Sequence, residues 1–340
     1  MTAIDVVPVD LTPWFAGDAD DRRRVARLVD EACSTSGFLS VTGHGIDEGL
    51  IERMLEVTTA YFDLPLEEKL RHVAEDRAAN RGYAAQGTEA LSYSIGEESP
   101  PDLFEAFNIG REVVPEGVDE AAAAAYMAPN VWPDRPEGFR ETWLAYWDAV
   151  EQLGLELVDV FAVALGQPDG WFRPFVDRSI SVMRANNYER RAGAPDPLEG
   201  QLRMGAHSDY GSLTILLADR VPGLQLRGED GSWHDVVPAP GAFLVNLGDL
   251  LAEWTNDRWR ATMHRVVPPP SSVDGPVRRR SIAWFQQPNH DAVIEVLESC
   301  TSETDPPRYP VTTSGDHLMA KLMGPRELRS STAAEEFSHR

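Results

Sequence analysis

Two hydrophobic rhythms divide the chain. In the first half apolar residues recur three and four apart, which gathers them on one side of a helix, whereas the second half carries short apolar runs broken by Gly, Pro and Asp, as strands do. Val25, Leu28, Val29 and Ala32 predict a helix over 18–34, stopped by Gly37. Leu50, Met54, Val57 and Tyr61 predict a second over 47–62, and Pro65 opens a short third. Trp143, Trp147, Val150, Leu157 and Phe161 place a long helix over 136–165; such an aromatic stripe reads as a helix packed on a sheet. Alternation over 4–11 and the apolar run at 38–42 predict short strands, with Gly43-His44-Gly45 as a turn. Residues 78–118 are rich in Gly, Pro and Ser and read mostly as loop. Ala121 to Ala125 has high helix propensity.

Beyond Gly166 seven strands are expected, over 180–188, 212–217, 224–227, 233–236, 242–246, 262–267 and 281–286, with a short helix at 249–254. Their spacing is that of an antiparallel double sheet. No repeat of 20 to 50 residues and no flexible linker interrupts the chain, so the helical first part is expected to be continuous with the β part.

The stretch Gly205-Ala206-His207-Ser208-Asp209 leads into one of these strands. Residues two apart share a face there, so one imidazole and one carboxylate converge. His264 lies in another apolar segment able to run beside it. Two His and one carboxylate on one face of Fe(II) leave the opposite coordination positions open for substrates. A His followed two residues on by an acid is cheap here, since 8 His and 55 acids in 340 residues give about one such pair by chance. In Arg278-Arg279-Arg280-Ser281-Ile282-Ala283-Trp284-Phe285, Arg279 and Ser281 share one strand face while Ile282 and Trp284 take the other. That pair offers a carboxylate a guanidinium fork and a hydroxyl. Three adjacent arginines suit a solvated basic patch as well, and composition alone favours the patch. His44 reads as a turn residue, and His72, His234, His290, His317 and His339 lack partner spacing.

Composition narrows the partners. A net charge of −24 and a pI near 4.6 argue against nucleic acid, whose binding rests on Lys and Arg neutralising phosphates, and against an acidic membrane surface. Cys33 and Cys300 stand far apart with no metal spacing, which suits a reducing compartment better than a disulfide framework. With no basic-then-apolar leader and no run of about 18 apolar residues, a soluble, cytoplasmic protein is expected, as a monomer or weak homo-oligomer.

Together these segments resemble the Fe(II)- and 2-oxoglutarate-dependent dioxygenases of the isopenicillin N synthase-like type. Asn186-Asn187-Tyr188, His207-Ser208-Asp209, Pro222-Gly223-Leu224-Gln225, Asn246-Leu247-Gly248-Asp249, Thr255-Asn256, His264-Arg265-Val266 and Arg279-Arg280-Ser281 follow that family's order. Gly37-Phe38-Leu39, Gly43-His44-Gly45, Phe62-Asp63-Leu64-Pro65, Glu67-Glu68-Lys69 and Arg81-Gly82-Tyr83 resemble its N-terminal region. The resemblance implies a mainly β fold with flanking α: a double-stranded β-helix (jelly roll, cupin-like) core with helices packed outside it. It implies a mostly helical region over 1–165, a catalytic core over 166–300, and a C-terminal segment over 301–340 that packs on the core or is partly disordered.

The same resemblance implies His207, Asp209 and His264 as ligands of Fe(II). It gives 2-oxoglutarate as co-substrate with O₂, its far carboxylate held by Arg279 and Ser281 with Asn186 and Tyr188 assisting. Hydroxylation or desaturation of a small molecule, with release of succinate and CO₂, would follow. Phe104, Asn108, Asn187 and Phe285 are the residues expected near that molecule. Asn187 stands where the family often has Tyr, which would make that wall more polar. The spacer from Tyr188 to His207, including the insertion at 189–200, suits a lid and a surface hairpin equally. Two alternatives stay open: an Fe(II) oxidase of the same family that does not use 2-oxoglutarate, and a non-catalytic jelly-roll binding protein.

Overall fold

The computed structural model describes residues 6–76, 79–92, 96, 99–190, 196–269 and 277–322. The first half contributes β1 (Val7–Asp10), α1 (Thr12–Ala16), α2 (Ala19–Thr35), β2 (Phe38–Thr42), α3 (Glu48–Phe62), α4 (Leu66–Leu70), β3 (Gly82–Ala84), β4 (Glu105–Gly110), α5 (Glu120–Tyr126) and α6 (Phe139–Ala164). Then come α7 (Arg173–Val176), β5 (Val182–Arg190), β6 (Met204–His207), β7 (Leu213–Ala218), β8 (Leu224–Arg227), β9 (Trp233–Asp235), β10 (Phe243–Leu247), α8 (Asp249–Trp254), β11 (His264–Val266), β12 (Val277–Gln286), β13 (Val293–Ile294) and β14 (Thr312–Thr313). Residues 314–322 add a last helical segment. Helix starts follow local chemistry: the Asp18 side chain accepts from the backbone of Asp20 and Asp21 while Asp21 accepts from Asp18, a reciprocal cap that sets the start of α2.

Eight strands form a large sheet in the order β1-β2-β10-β7-β12-β5-β4-β3, and four form a small one, β6-β11-β8-β9. Because side chains alternate along a strand, each face of the large sheet builds its own core. Phe107, Ile109, Met183, Ala185, Ile282 and Trp284 belong to the cluster shared with the helices, where Phe107 meets Trp143 at 5.2 Å and Trp284 meets Trp147 at 6.2 Å between ring centres. Phe104, Ala106, Tyr188 and Leu244 join Met204, Leu224, Leu226 and Val266 of the small-sheet side in a second cluster, enclosed between the sheets. This is the expected jelly roll, with its chemistry on the inner face.

Two readings of elements gain strands. Residues 78–118 are mostly loop as expected, but β3 and β4 also lie there and close one edge of the large sheet, with β4 paired along its length to β5. Their Gly- and Asn-containing sequences show little periodicity, and the pairing that orders them comes from a strand about 75 residues away. β6 was likewise hidden, because Met-Gly-Ala-His has no alternation to read. His44 sits in a turn as expected, with Nδ1 accepting from Ile46 N–H at 3.2 Å and Nε2 facing Gly241 O at 3.1 Å. The helical 314–322 segment belongs to the expected C-terminal region; residues 323–340, His339 among them, lie outside the described residues, as do 191–195 of the expected lid or hairpin.

Candidate metal centre and co-substrate chamber

His207 ends β6 and His264 begins β11, and the two are direct cross-strand partners, with ring centres 4.3 Å apart. Asp209, two residues past β6, turns Oδ1 toward both: the Nε2 atoms of His207 and His264 each stand 3.8 Å from it. The ligating atoms lie within 4.8 Å of one another and all three residues are buried; among the described residues no other such cluster of His, Cys, Asp and Glu occurs. Each ring's second nitrogen is anchored. His207 Nδ1 faces Gly205 O at 2.8 Å and His264 Nδ1 faces Thr262 O at 3.1 Å, and a carbonyl can only accept, so each Nε2 is left with its lone pair pointing inward.

The carboxylate is oriented as carefully. Asp209 Oδ2 accepts from Thr214 Oγ1 and, at 2.6 Å, from Asn246 Nδ2, which leaves Oδ1 for an ion. Its backbone is tied down too, since Asp249 N–H donates to Asp209 O at 2.8 Å and Gly248 N–H to Ser212 O at 3.0 Å. Gly248 is required at this crossing: a Cβ there would come within 2.2 Å of Gly211 O. Burial, and then the charge of His264, hold His207 down to about 4, so it is neutral at physiological pH and able to ligate. Burial works to raise Asp209, yet His264, His207 and the Thr214 and Asn246 hydrogen bonds keep its carboxyl below the usual range. Two neutral imidazoles and one carboxylate, preset and buried, fit a divalent iron with vacant positions.

The expected co-substrate residues come together on β12 and β5 and are buried. β12 and β5 pair Arg279 with Tyr188 and Ser281 with Asn186. Arg279 is 2% exposed, and its Nε and Nη1 are buried with no hydrogen-bond acceptor. A guanidinium so placed is suited to pairing with an anion such as a carboxylate. Its neighbours point the other way and find acceptors there, although Nη2 of Arg278 is also buried without one. Arg278 donates to Asn187 and Asp63, and Arg280 to Asp219 and Thr59, so the three arginines are one inward fork between two outward anchors rather than a basic patch. Tyr188 lies beneath Arg279, 5.2 Å from guanidinium carbon to ring centre, with burial pushing its phenol up. Asn186 Oδ1 accepts from Arg184 Nε at 2.9 Å.

Of the residues expected near the substrate, three share the inner face and one does not. Phe104 packs on Tyr188, with Arg184 4.9 Å above its ring. Asn108 pairs with Arg184, its Nδ2 on Gly82 O at 3.4 Å and its Oδ1 buried without a donor. Phe285 follows Ser281 by four residues on the same face and pairs with Thr214. Asn187 is corrected: it faces the helices, donating to Glu105 Oε1 at 2.8 Å and accepting from Arg278, so it makes no pocket wall. The two-residue alternation that sends Asn186 and Tyr188 inward necessarily sends Asn187 outward.

Sequence reasoning gave no role to Asn246 and Thr214, or to Arg184, which donates to Glu89 Oε1 at 2.8 Å. Asp102 was also missed; it accepts from Leu91 N–H and Gly205 N–H at 2.9 Å each, and burial, against those bonds, raises it to about 6. One signal was available: Asn246 is the lone amide in the apolar run Phe-Leu-Val-Asn-Leu.

Known proteins resemble this chain in sequence and fold. Residues 6–135 match the family described as the N-terminal region of non-haem dioxygenases in morphine synthesis, and residues 179–288 match the 2OG-Fe(II) oxygenase superfamily. The chain is 33% identical over 91% of its length, and 86% of the relative's, to the 2-oxoglutarate-Fe(II) type oxidoreductase hxnY of Emericella nidulans. It is 31% identical to a homoarginine-6-hydroxylase of Oryza sativa subsp. japonica, over 89% of this chain and 90% of that one. The crystal structure of a full-length Neurospora crassa protein in complex with alpha-KG superposes with a TM-score of 0.80 at 30% identity, covering 95% of this chain and 97% of that one.

Proposed function

The chain belongs to the 2OG-Fe(II) oxygenase superfamily, and from that premise we propose that His207, Asp209 and His264 hold Fe(II) while Arg279 and Ser281, with Asn186 and Tyr188, receive the far carboxylate of 2-oxoglutarate. The protein is an Fe(II)- and 2-oxoglutarate-dependent dioxygenase that acts on a small molecule and releases succinate and CO₂. The alternative of an oxidase independent of 2-oxoglutarate is not favoured, since structural neighbours carry alpha-KG. Three preset ligand atoms, together with an inward, unpartnered guanidinium, carry the residue assignment.

Fe(II) with 2-oxoglutarate and O₂ supplies the oxidising power to take hydrogen from an unactivated carbon. The chain's own part is to orient and to exclude water. Asn246 and Thr214 fix which carboxylate oxygen faces the ion, the Gly205 and Thr262 carbonyls fix the imidazole tautomers, and Phe104, Asn108 and Phe285 line the space where the substrate is received. In this reading 166–300 carries the ligands, 1–165 supplies the helices and edge strands behind them, and 301–340 forms the C-terminal segment. Cytoplasmic location and a monomer or weak homo-oligomer complete the proposal. Among the described residues no helix is long and apolar enough to cross a membrane, and the charge of −24 disfavours nucleic acid.

Anaerobic titration with Fe(II) and 2-oxoglutarate tests the assignment. The visible charge-transfer band of the chelate is expected in the wild type and in Arg278→Ala and Arg280→Ala. Arg279→Ala should need at least about tenfold more 2-oxoglutarate. Equal behaviour of all three variants would dismiss Arg279 as the anchor.

A further inference from the structure

Arg203 immediately precedes β6 and is 3% exposed. Its backbone N–H donates to Val266 O at 2.9 Å, and its Nη2 donates to Val277 O, also at 2.9 Å. Val277 is the first residue of β12, two before Arg279, so this guanidinium is pinned against the strand end from which the Arg279 side chain departs. Nη1 of Arg203 is buried without an acceptor, as are Nε and Nη1 of Arg279. Among the described residues neither arginine has an ion-pair partner. Asp219, the acid whose charge reaches Arg203, is already occupied by Arg280 N–H at 2.7 Å and Val221 N–H at 3.3 Å.

Two buried guanidiniums that repel each other, with three nitrogens lacking acceptors, are costly unless an anion joins them. Burial and the charge of Arg279 hold Arg203 down to about 10. We propose that Arg203 is a second anchor for the far carboxylate of 2-oxoglutarate, so that one guanidinium from each sheet takes that end of the co-substrate. The inference rests on the reading that Arg279 and Ser281 receive this carboxylate. It makes the chamber selective for 2-oxo acids bearing a distal negative charge, because a neutral end leaves both cations unpaired.

The test is anaerobic titration of the Fe(II)-loaded full chain with 2-oxoglutarate and with 2-oxopentanoate, which has the same chelating end and a methyl in place of the far carboxylate. Binding is read from the charge-transfer absorption. Arg203→Gln should raise the Kd for 2-oxoglutarate about tenfold, the scale of one lost charge-assisted contact, and leave 2-oxopentanoate within about twofold. Unchanged affinity for 2-oxoglutarate, or equal weakening of both ligands, would overturn the proposal. Should Arg203→Gln fail to fold, Arg203→Lys decides: a loss of about threefold confined to 2-oxoglutarate supports the second anchor, and no difference between the ligands refutes it. Arg279→Gln is run in parallel. If 2-oxoglutarate binds it as well as wild type, the underlying assignment falls; if it weakens while both Arg203 variants bind normally, only the role of Arg203 is lost.

Discussion

Asn246 and Thr214 show how much of the metal centre is set by residues that need not touch the ion. Both donate to Oδ2 of Asp209, and with either gone one hydrogen bond instead of two holds the carboxylate. Asn246→Ala is therefore expected to weaken Mn(II) or Fe(II) binding roughly 10- to 100-fold, measured by calorimetry, with the far-ultraviolet circular dichroism unchanged. Asp102 gives a pH prediction at the same scale. Its folded pKa of about 6 exceeds the ordinary carboxyl value of 3.8, so between those values the folded state holds more protons than the unfolded. Stability from this group is present below about pH 4 and declines as pH rises to about 6, by at most about 3 kcal/mol. Urea midpoints of wild type and Asp102→Asn, followed from pH 4 to 6.5, should show the wild type's advantage shrinking as pH rises; a constant or growing gap would contradict this. Such pairings of Asp102 with Leu91 and Gly205 span 11 and 103 residues, and no local pattern announces them.

Among the elements, α6 and β12 carry the site from behind. The inward face of β12 presents Arg279 and Ser281, and its outward face packs Trp284 on α6. Gly154 makes that packing possible: a Cβ there would lie 2.5 Å from Trp284 Cζ3. Gly154→Ala removes a poor helix former yet should destabilise the protein by about 1–3 kcal/mol, since the indole must shift in a packed core. A lower urea midpoint with an unchanged slope would register it, and a neutral or stabilising result would show that Trp284 yields freely. The long helix and β12 were legible because 3.6- and 2-residue periods repeat within each. β3, β4 and β6 were not, being short segments whose order comes from strands far away in sequence.

At the scale of the whole molecule, the proposed site links ligand loading to folding, because the three residues assigned as metal ligands come from β6, the loop after it, and β11, and meet only in the native state. Mn(II) with 2-oxoglutarate, each at about a hundredfold excess over its Kd, should stabilise the chain by about 3 kcal/mol per independent site and raise the melting temperature by several degrees. Asp209→Ala should lose the metal-dependent part of that rise together with turnover while melting cooperatively. A full rise in Asp209→Ala would mean that the ion binds elsewhere.

The amino-acid order by itself determined the His-X-Asp pair, the distant His264, the Arg-X-Ser pair and the face each takes, because strand alternation is a local rule that a sequence displays directly. It also carried the family resemblance. The direction of Asn187 was written in that same alternation, although the resemblance suggested otherwise. Only the tertiary structure decided that His207 and His264 are cross-strand neighbours, that Asn246 and Thr214 hold Asp209, and that the buried Arg203 is pinned to Val277 on the strand that carries Arg279. Those relations depend on strand register across dozens of residues and on which charges find no partner once water is excluded, and neither quantity exists before the sheets close.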